Sequence, residues 1–173
     1  MMLQAASTVG PPRLRKAESG DTDFLRRLFA STRGLELEAL GADSPLAASF
    51  VAMQLAARER SYRSAHPSAV CQIVEPVSNG RPEAIGQLWV DISPGLISLL
   101  DISLLPRWRG LGVGSALLRD VLADARALQR PVQLNVELTN PARRLYERLG
   151  FEDVGVDGLH RVMHWQPRPA TNL

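Results

Sequence analysis

The run from Leu99 to Leu118 limits this chain more than any other part of it. An apolar stretch rich in Leu and Ile reaches Pro106 and gives way within a few residues to Gly110, Gly112 and Gly114. Three missing Cβ atoms let backbone N–H groups approach an anion, and a helix starting there turns its positive end toward the same point. Leu118, Val121, Leu122, Ala125 and Leu128 then recur at helical spacing, so the glycines open an amphipathic helix. A strand that runs through a glycine turn into a helix is a phosphate-binding device.

Two common phosphate loops are disfavoured. No Lys-Ser or Lys-Thr follows the glycines, as a Mg²⁺-nucleotide P-loop requires. The spacing is Gly-x-Gly-x-Gly rather than Gly-x-Gly-x-x-Gly, and no acidic residue waits at the end of a following strand for a ribose. What fits is Arg109-x-x-Gly112-x-Gly114. A second segment, Thr139 to Phe151, carries Asn140-Pro141 before a short helical stretch with Tyr146 and closes on Gly150-Phe151. Asn140 is a good N-cap, Pro141 suits a first helical position, and Gly150 suits a left-handed residue just past the helix.

On these two motifs, in this order and at this separation, the chain resembles the GNAT acyltransferase superfamily, over about residues 13 to 166. The resemblance implies an α/β (α+β) fold, a mixed central sheet flanked by helices in the order β-α-α-β-β-β-α-β-α-β-β. It also implies acetyl-coenzyme A as cosubstrate, no metal, and an amine-bearing acceptor, a small molecule or a protein amino group; a homodimer is compatible with it. A non-catalytic acyl-coenzyme A sensor is the rival reading.

At 173 residues the chain has the size of one domain, able to bury roughly 70% of its unfolded surface. The expected parts are a flexible leader over residues 1–12, the domain over 13–166 and a tail over 167–173. Residues 1–12 lack the basic and apolar regions of a signal peptide, and no apolar run reaches the ~18 residues of a membrane span, so a cytoplasmic protein is expected. The twenty basic residues are dispersed and leave a net charge of only +2, which points away from nucleic acid. Cys71 is the only cysteine, which excludes an intrachain disulfide, and it reads as a buried filler.

Strands are expected at Arg13–Ala17, Val70–Glu75, Ala84–Ile92, Leu96–Leu104, Pro131–Leu138, Phe151–Val156 and Leu159–Trp165. Ser78 to Pro82 reads as a hairpin turn. Asp21 or Thr22 caps a helix with Phe24, Leu25, Leu28 and Phe29. Ser44-Pro45 opens a longer one with Leu46, Phe50, Met53, Leu55 and Ala57, reaching about Tyr62, and Ser31 to Gly41 between them is an ambiguous connector. His160 and His164 share a strand face, but without a third ligand they read as edge-strand surface residues rather than a metal site. Trp89, Trp108 and Trp165 read as packing residues.

The resemblance assigns roles as follows. The backbone of Gly110, Leu111, Gly112, Val113, Gly114 and Ser115 would hold the pyrophosphate, with Arg109, Arg143 and Asn140 nearby. Ile102, Ser103 and Leu104 would pair with the pantetheine arm as an added strand does. Tyr146 matches the position of a general acid toward the leaving sulfur. One residue fewer than usual separates Asn140 from Tyr146, which puts Thr139 at the usual asparagine position. The position where some relatives carry a basic glutamate holds Asn135, which accepts no proton at neutral pH. Asp101, Glu137 and the connector carboxylates Glu36 and Glu38 remain as candidates for the base or for holding the acceptor's ammonium, with ordered water as a further alternative.

Overall fold

The computed structural model describes residues 11–77 and 83–167. The expected leader (apart from Pro11 and Pro12), the hairpin turn at Ser78 to Pro82 and the tail beyond Pro167 lie outside the described residues. In chain order the elements are β1 (Arg13–Lys16), α1 (Thr22–Ala30), α2 (Gly34–Leu40), α3 (Pro45–Ala65), β2 (Val70–Glu75), β3 (Gly86–Ser93) and β4 (Leu96–Leu104). They continue with α4 (Val113–Ala127), β5 (Val132–Glu137), α5 (Arg143–Arg148), β6 (Glu152–Asp157) and β7 (His160–Trp165). The sheet has seven strands in the order β1-β2-β3-β4-β5-β7-β6, antiparallel throughout except for the parallel pair β4–β5.

Alternation along the strands decides the layering. On β2, Ile73 packs with Phe24, Leu28, Val51 and Leu55 of α1 and α3, while its neighbour Val74 packs on the opposite face with Leu88, Leu117, Leu118 and Leu122. Helices α1–α3 therefore cover one face over the first strands, and α4 and α5 cover the other. Ser44 caps α3 by accepting a hydrogen bond from the Ala47 N–H at 3.1 Å, with Pro45 in the first turn.

Four expectations need correction. The connector is not irregular: Leu37 is buried and Leu40 packs partly into the α1–α3 cluster, which makes residues 34–40 a third helix between β1 and β2, ended by Gly41 at φ +77°. The buried side of α3 is Ala47, Val51 and Leu55, whereas Leu46 and Met53 are exposed, because the smaller residues let α3 lie close to α1. Leu128, expected on the buried side of the glycine-led helix, lies just past the end of α4 and is exposed. His160 and His164 are not on an edge strand, since β7 runs between β5 and β6; His164 meets Gln133 at 2.9 Å instead. Among the described residues no group of three or more His, Cys, Asp or Glu could hold a metal ion, and no helix is long and apolar enough to cross a membrane. Trp89 and Trp165 are buried in packing positions.

The first strand is anchored by charge. Arg15 donates from Nε to Glu75 at 2.7 Å and from Nη1 and Nη2 to both oxygens of Asp21 at 2.8 and 2.7 Å, and Asp21 also accepts the Glu18 N–H at 2.8 Å. The fork-on-fork contact with Arg15 holds the Asp21 carboxyl below its ordinary range against the opposing effect of burial. A carboxyl whose folded value is depressed contributes stability above its unfolded value and loses it as pH falls through the folded one. Unfolding by urea should therefore become easier below about pH 4, and Asp21→Asn should flatten that acid limb while lowering stability at neutral pH. An acid limb unchanged in Asp21→Asn would show that other carboxyls carry it.

Candidate active site

The parallel pairing of β4 with β5 covers only Ile97, Ser98 and Leu99 against Val132, Gln133 and Leu134. Beyond Leu99 the strands part, β5 staying with β7 as far as Glu137 and β4 with β3 as far as Leu104. In the same place Leu100 has no opposite residue on β3, since Val90 pairs with Leu99 and Trp89 with Asp101. This bulge changes which way β4 faces. Without it Asp101 would share the face of Ile97 and Leu99, inside the α4 core; with it, Asp101 lies beside Trp89 and Gln87 on the α1–α3 face.

Backbone groups along the parted edge follow from the ladder. The Leu105 N–H donates to Ile85 O at 2.8 Å, so Leu105 and Ser103 face β3 while Ile102 and Leu104 turn their N–H and C=O groups into the gap. Of the three residues expected to meet a pantetheine arm, Ser103 is thus excluded as a backbone partner. Its hydroxyl instead donates to Asp101 Oδ1 at 2.9 Å. Gly86, which the sequence reading passed over, explains how β3 and β4 come this close: a Cβ there would lie 2.4 Å from Ser103 O and 2.6 Å from Leu104 Cδ2. An isolated glycine inside an apolar strand was the available signal.

The glycine turn leads directly from this edge. Gly110 and Gly112 adopt φ of +74° and +84°, which L side chains rarely tolerate, whereas Gly114 is an ordinary helical residue with room for a Cβ. Gly112 is the N-cap of α4 and brings no side-chain acceptor, and the first helical bond runs from the Ala116 N–H to Gly112 O. The N–H groups of Val113, Gly114 and Ser115 are left pointing out of a fifteen-residue helix with no acidic residue in its first turn. Val113 itself is buried beneath the loop, while Leu111 is exposed. Arg109 does not point into the loop: its Nε donates to Leu104 O at 2.8 Å and its Nη2 to Ser31 Oγ at 3.2 Å, strapping the end of β4 to the end of α1.

On the α5 side, Tyr146 is buried and packs edge-on against Phe151, with ring centroids 5.8 Å apart. Burial, with a smaller contribution from the charge of Asp101, pushes its phenol up to about 12. Asn140 is not the N-cap of the helix that carries it. Its Oδ1 accepts the Ala142 N–H at 2.9 Å, forming an Asx turn, and the α-helix starts at Arg143 with Ala142 as cap. Gly150 does adopt the left-handed conformation, at φ +90°. Arg143 pairs with Glu147 at 2.7 Å beside a shallow depression that Asn140 and Arg144 also line.

The carboxylates divide clearly. Asp101 is held by Gln87 Nε2 at 2.5 Å, by Ser103 and by Arg58 Nη1 at 3.2 Å. Arg58 in turn lies over the rings of Phe29 at 4.8 Å and Tyr62 at 5.9 Å, and the Tyr62 hydroxyl donates to the bulge carbonyl of Leu100 at 3.0 Å. Glu137 is exposed at the end of β5. Glu36 and Glu38 are exposed on α2, and Glu36 pairs with Arg33 at 3.4 Å, so the structure does not gather them with Asp101 into one carboxylate cluster. Arg58, Gln87 and Tyr62 had no sequence signal, because each is a common residue on a long helix or strand.

A model of the acetyltransferase (GNAT) domain family matches residues 75–153, from the end of β2 into β6. No curated protein matches the chain in sequence. Among solved structures the chain is similar to the PaiA N-acetyltransferase of Thermoplasma acidophilum in complex with coenzyme A, with 16% identity over 90% of this chain and 98% of that one and a TM-score of 0.63. It is also similar to an acetyltransferase of Thermus thermophilus, with 19% identity, 92% and 99% coverage and a TM-score of 0.65. A third is the spermidine N-acetyltransferase of Vibrio cholerae in complex with CoA and spermine, with 20% identity, 90% and 95% coverage and a TM-score of 0.60. Identities this low establish the fold.

The contact between Gly86 and Ser103 yields a direct test. Gly86→Ala should force β3 and β4 apart at the gap, lowering stability by about 1–3 kcal/mol, as overpacking does. Coenzyme A affinity, read by calorimetry on the folded variant, should fall with it. A variant as stable as the parent and equal in affinity would mean that the close approach has no bearing on the gap.

Proposed function

From a chain that carries a GNAT acetyltransferase domain and has its fold, we propose an N-acetyltransferase that moves an acetyl group from acetyl-coenzyme A to an amine within a ternary complex. One observation carries the reading: the edge of β4 that β5 leaves, open at Ile102 and at the Leu104 N–H, runs straight into the uncapped N–H groups at Val113, Gly114 and Ser115. An extended amide arm that ends in a diphosphate matches both features at once. Arg143 and Arg144, which line the depression at the start of α5, are the proposed partners of further phosphate charge. Replacement of Gly112 by a bulky residue should weaken coenzyme A binding and also lower stability by about 1–3 kcal/mol, because its left-handed conformation and not packing demands glycine there. Calorimetry with acetyl-coenzyme A against ATP and NAD tests the assignment, and preference for either nucleotide would reject it.

In the proposed reaction the free amine attacks the thioester carbonyl, a C–N bond forms, the C–S bond breaks as the oxyanion collapses, and the excess proton still on the nitrogen passes through solvent to the departing thiolate, which leaves as the thiol. The Ile102 N–H, which faces the gap, takes the role of donor to the oxyanion. Asp101 takes the role of proton acceptor from the acceptor's ammonium, since Glu137, Glu36 and Glu38 are solvated and Asn135 takes no proton. Tyr146 serves the departing sulfur. A phenol at about 12 is too weak an acid to protonate a thiolate of ordinary value near 8.5 fully, so its contribution is a hydrogen bond that strengthens as sulfur gains charge. Because the charge of Asp101 is one cause of the raised value, a proton arriving on Asp101 makes Tyr146 a stronger donor. A carboxylate is also a weak base, which suits an α-amine, costing under about 1 kcal/mol to deprotonate at pH 7.5, better than a lysine side chain at roughly 4. The name of the Vibrio cholerae neighbour adds polyamines to the candidate acceptors.

Tyr146→Phe should lower kcat on the order of a hundredfold with coenzyme A affinity nearly unchanged. In the parent, kcat should show no loss from this group between about pH 8 and 10, because the phenol stays protonated there. A Phe variant with parental kcat would leave Tyr146 a packing residue.

A further inference from the structure

The acceptor side of the proposed site already contains a fixed cation. Arg58 lies 3.2 Å from Asp101, the carboxylate assigned above to the acceptor's ammonium, and both side chains are largely withdrawn from solvent. The guanidinium cannot swing aside. Phe29 and Tyr62 flank it, Tyr62 is pinned by its hydroxyl to Leu100 and by its ring edge to Trp89 at 5.4 Å, and Phe29 is itself buried. Arg58 Nε and Nη2 are buried with no hydrogen-bond acceptor among the described residues. The part of its charge that Asp101 and the two rings do not balance is weakly screened where it stands.

The surroundings do not offset it. Over α1–α3 and their connectors, residues 22–65, arginines outnumber carboxylates by six to five. Arg33 also lies over the Phe29 ring, at 5.2 Å, and takes Glu36 as its partner. A polycation entering here meets in Asp101 a carboxylate already shared with an arginine.

We infer that Arg58 is the specificity-determining residue of the acceptor site, restricting it to amines that bring a single positive charge and turning polyamines away. The inference rests on the acetyltransferase reading above and deepens it. A second ammonium three or four methylenes from the reacting nitrogen is carried on a tether short enough to bring it within reach of Arg58. Two like charges about 6 Å apart, at an effective dielectric of about 20, repel enough to lower affinity on the order of a hundredfold. Discrimination of this kind works by repulsion of the wrong partner rather than by added contacts to the right one.

The test compares kcat/KM for spermidine with that for a panel of monocationic amines, α-amino amides and arylalkylamines, using the full chain and acetyl-coenzyme A. The best monocationic amine should exceed spermidine by roughly a hundredfold. Arg58→Gln should narrow that ratio at least tenfold, while Arg58→Lys, which keeps the charge, should preserve it. Coenzyme A binding measured on each variant confirms that it is folded. Spermidine used as well as any monoamine by the parent overturns the inference, and so does a folded Arg58→Gln with an unchanged ratio. A parent that binds coenzyme A but acetylates no amine at all rejects the acetyltransferase reading itself, and this inference with it.

Discussion

Pairing between β4 and β5 ends after three residues, and the candidate site is built around the strand edge this leaves open. In a continuous sheet the N–H and C=O groups of Ile102 and Leu104 would be spent on β5. Here they face a gap, in which the Leu104 carbonyl accepts from Arg109 and the other groups stay open to an added strand. The bulge at Leu100 has the complementary effect, because a one-residue slip reverses every side chain beyond it. It moves Asp101 from the α4 core to the face where Gln87, Ser103 and Arg58 can hold a carboxylate. Gly86 then lets β3 stay close to β4 while β5 departs, so that the gap opens on one side only.

Much of this was legible in the sequence because it depends on local chemistry. Gly110 and Gly112 are needed for backbone conformations that other residues resist, and Gly150 ends α5 for the same reason. The strands at 70–75 and 96–104 were readable from apolar runs bounded by turn residues. The helix at Gly34–Leu40 was not, since its seven residues bury only Leu37 fully and a single buried position gives no period to detect. The buried stripe of α3 was misjudged because Leu46 and Met53 are more hydrophobic than Ala47, yet the close approach of two helices favours the smaller side chain. The site divided in the same way. The anion-binding loop is a matter of adjacent residues, while the partners of Asp101 come from β3 and α3 and meet only through the sheet register.

Asn140 and Arg109 belong to the motifs that carried the resemblance, and both side chains have partners within the fold. Asn140 closes an Asx turn ahead of α5, and Arg109 fastens the Leu104 carbonyl to Ser31 at the end of α1. A motif fixes where the backbone must go. It leaves the side chains free to take whatever partners the remaining fold supplies, here a carbonyl at the edge of the gap and the hydroxyl that caps α1. The strap also joins the two walls of the site, since Leu104 packs with the α4 core and Leu105 with the α1–α3 core.

Asp101 is the residue on which the electrostatics of the proposed site converge. It shares the charge of Arg58, and its own charge contributes to the raised phenol of Tyr146. These two relations act at different moments of the proposed reaction. Before attack, the ionised carboxylate favours an ammonium beside it, and Arg58 limits how much positive charge that ammonium can bring. As the amine gives up its proton, Asp101 becomes neutral and the field that weakened Tyr146 as a donor fades, just when sulfur begins to carry negative charge. Arg58 is then left without its counter-ion until Asp101 passes that proton on, so the guanidinium that limits the acceptor also favours return of the ion pair for the next one.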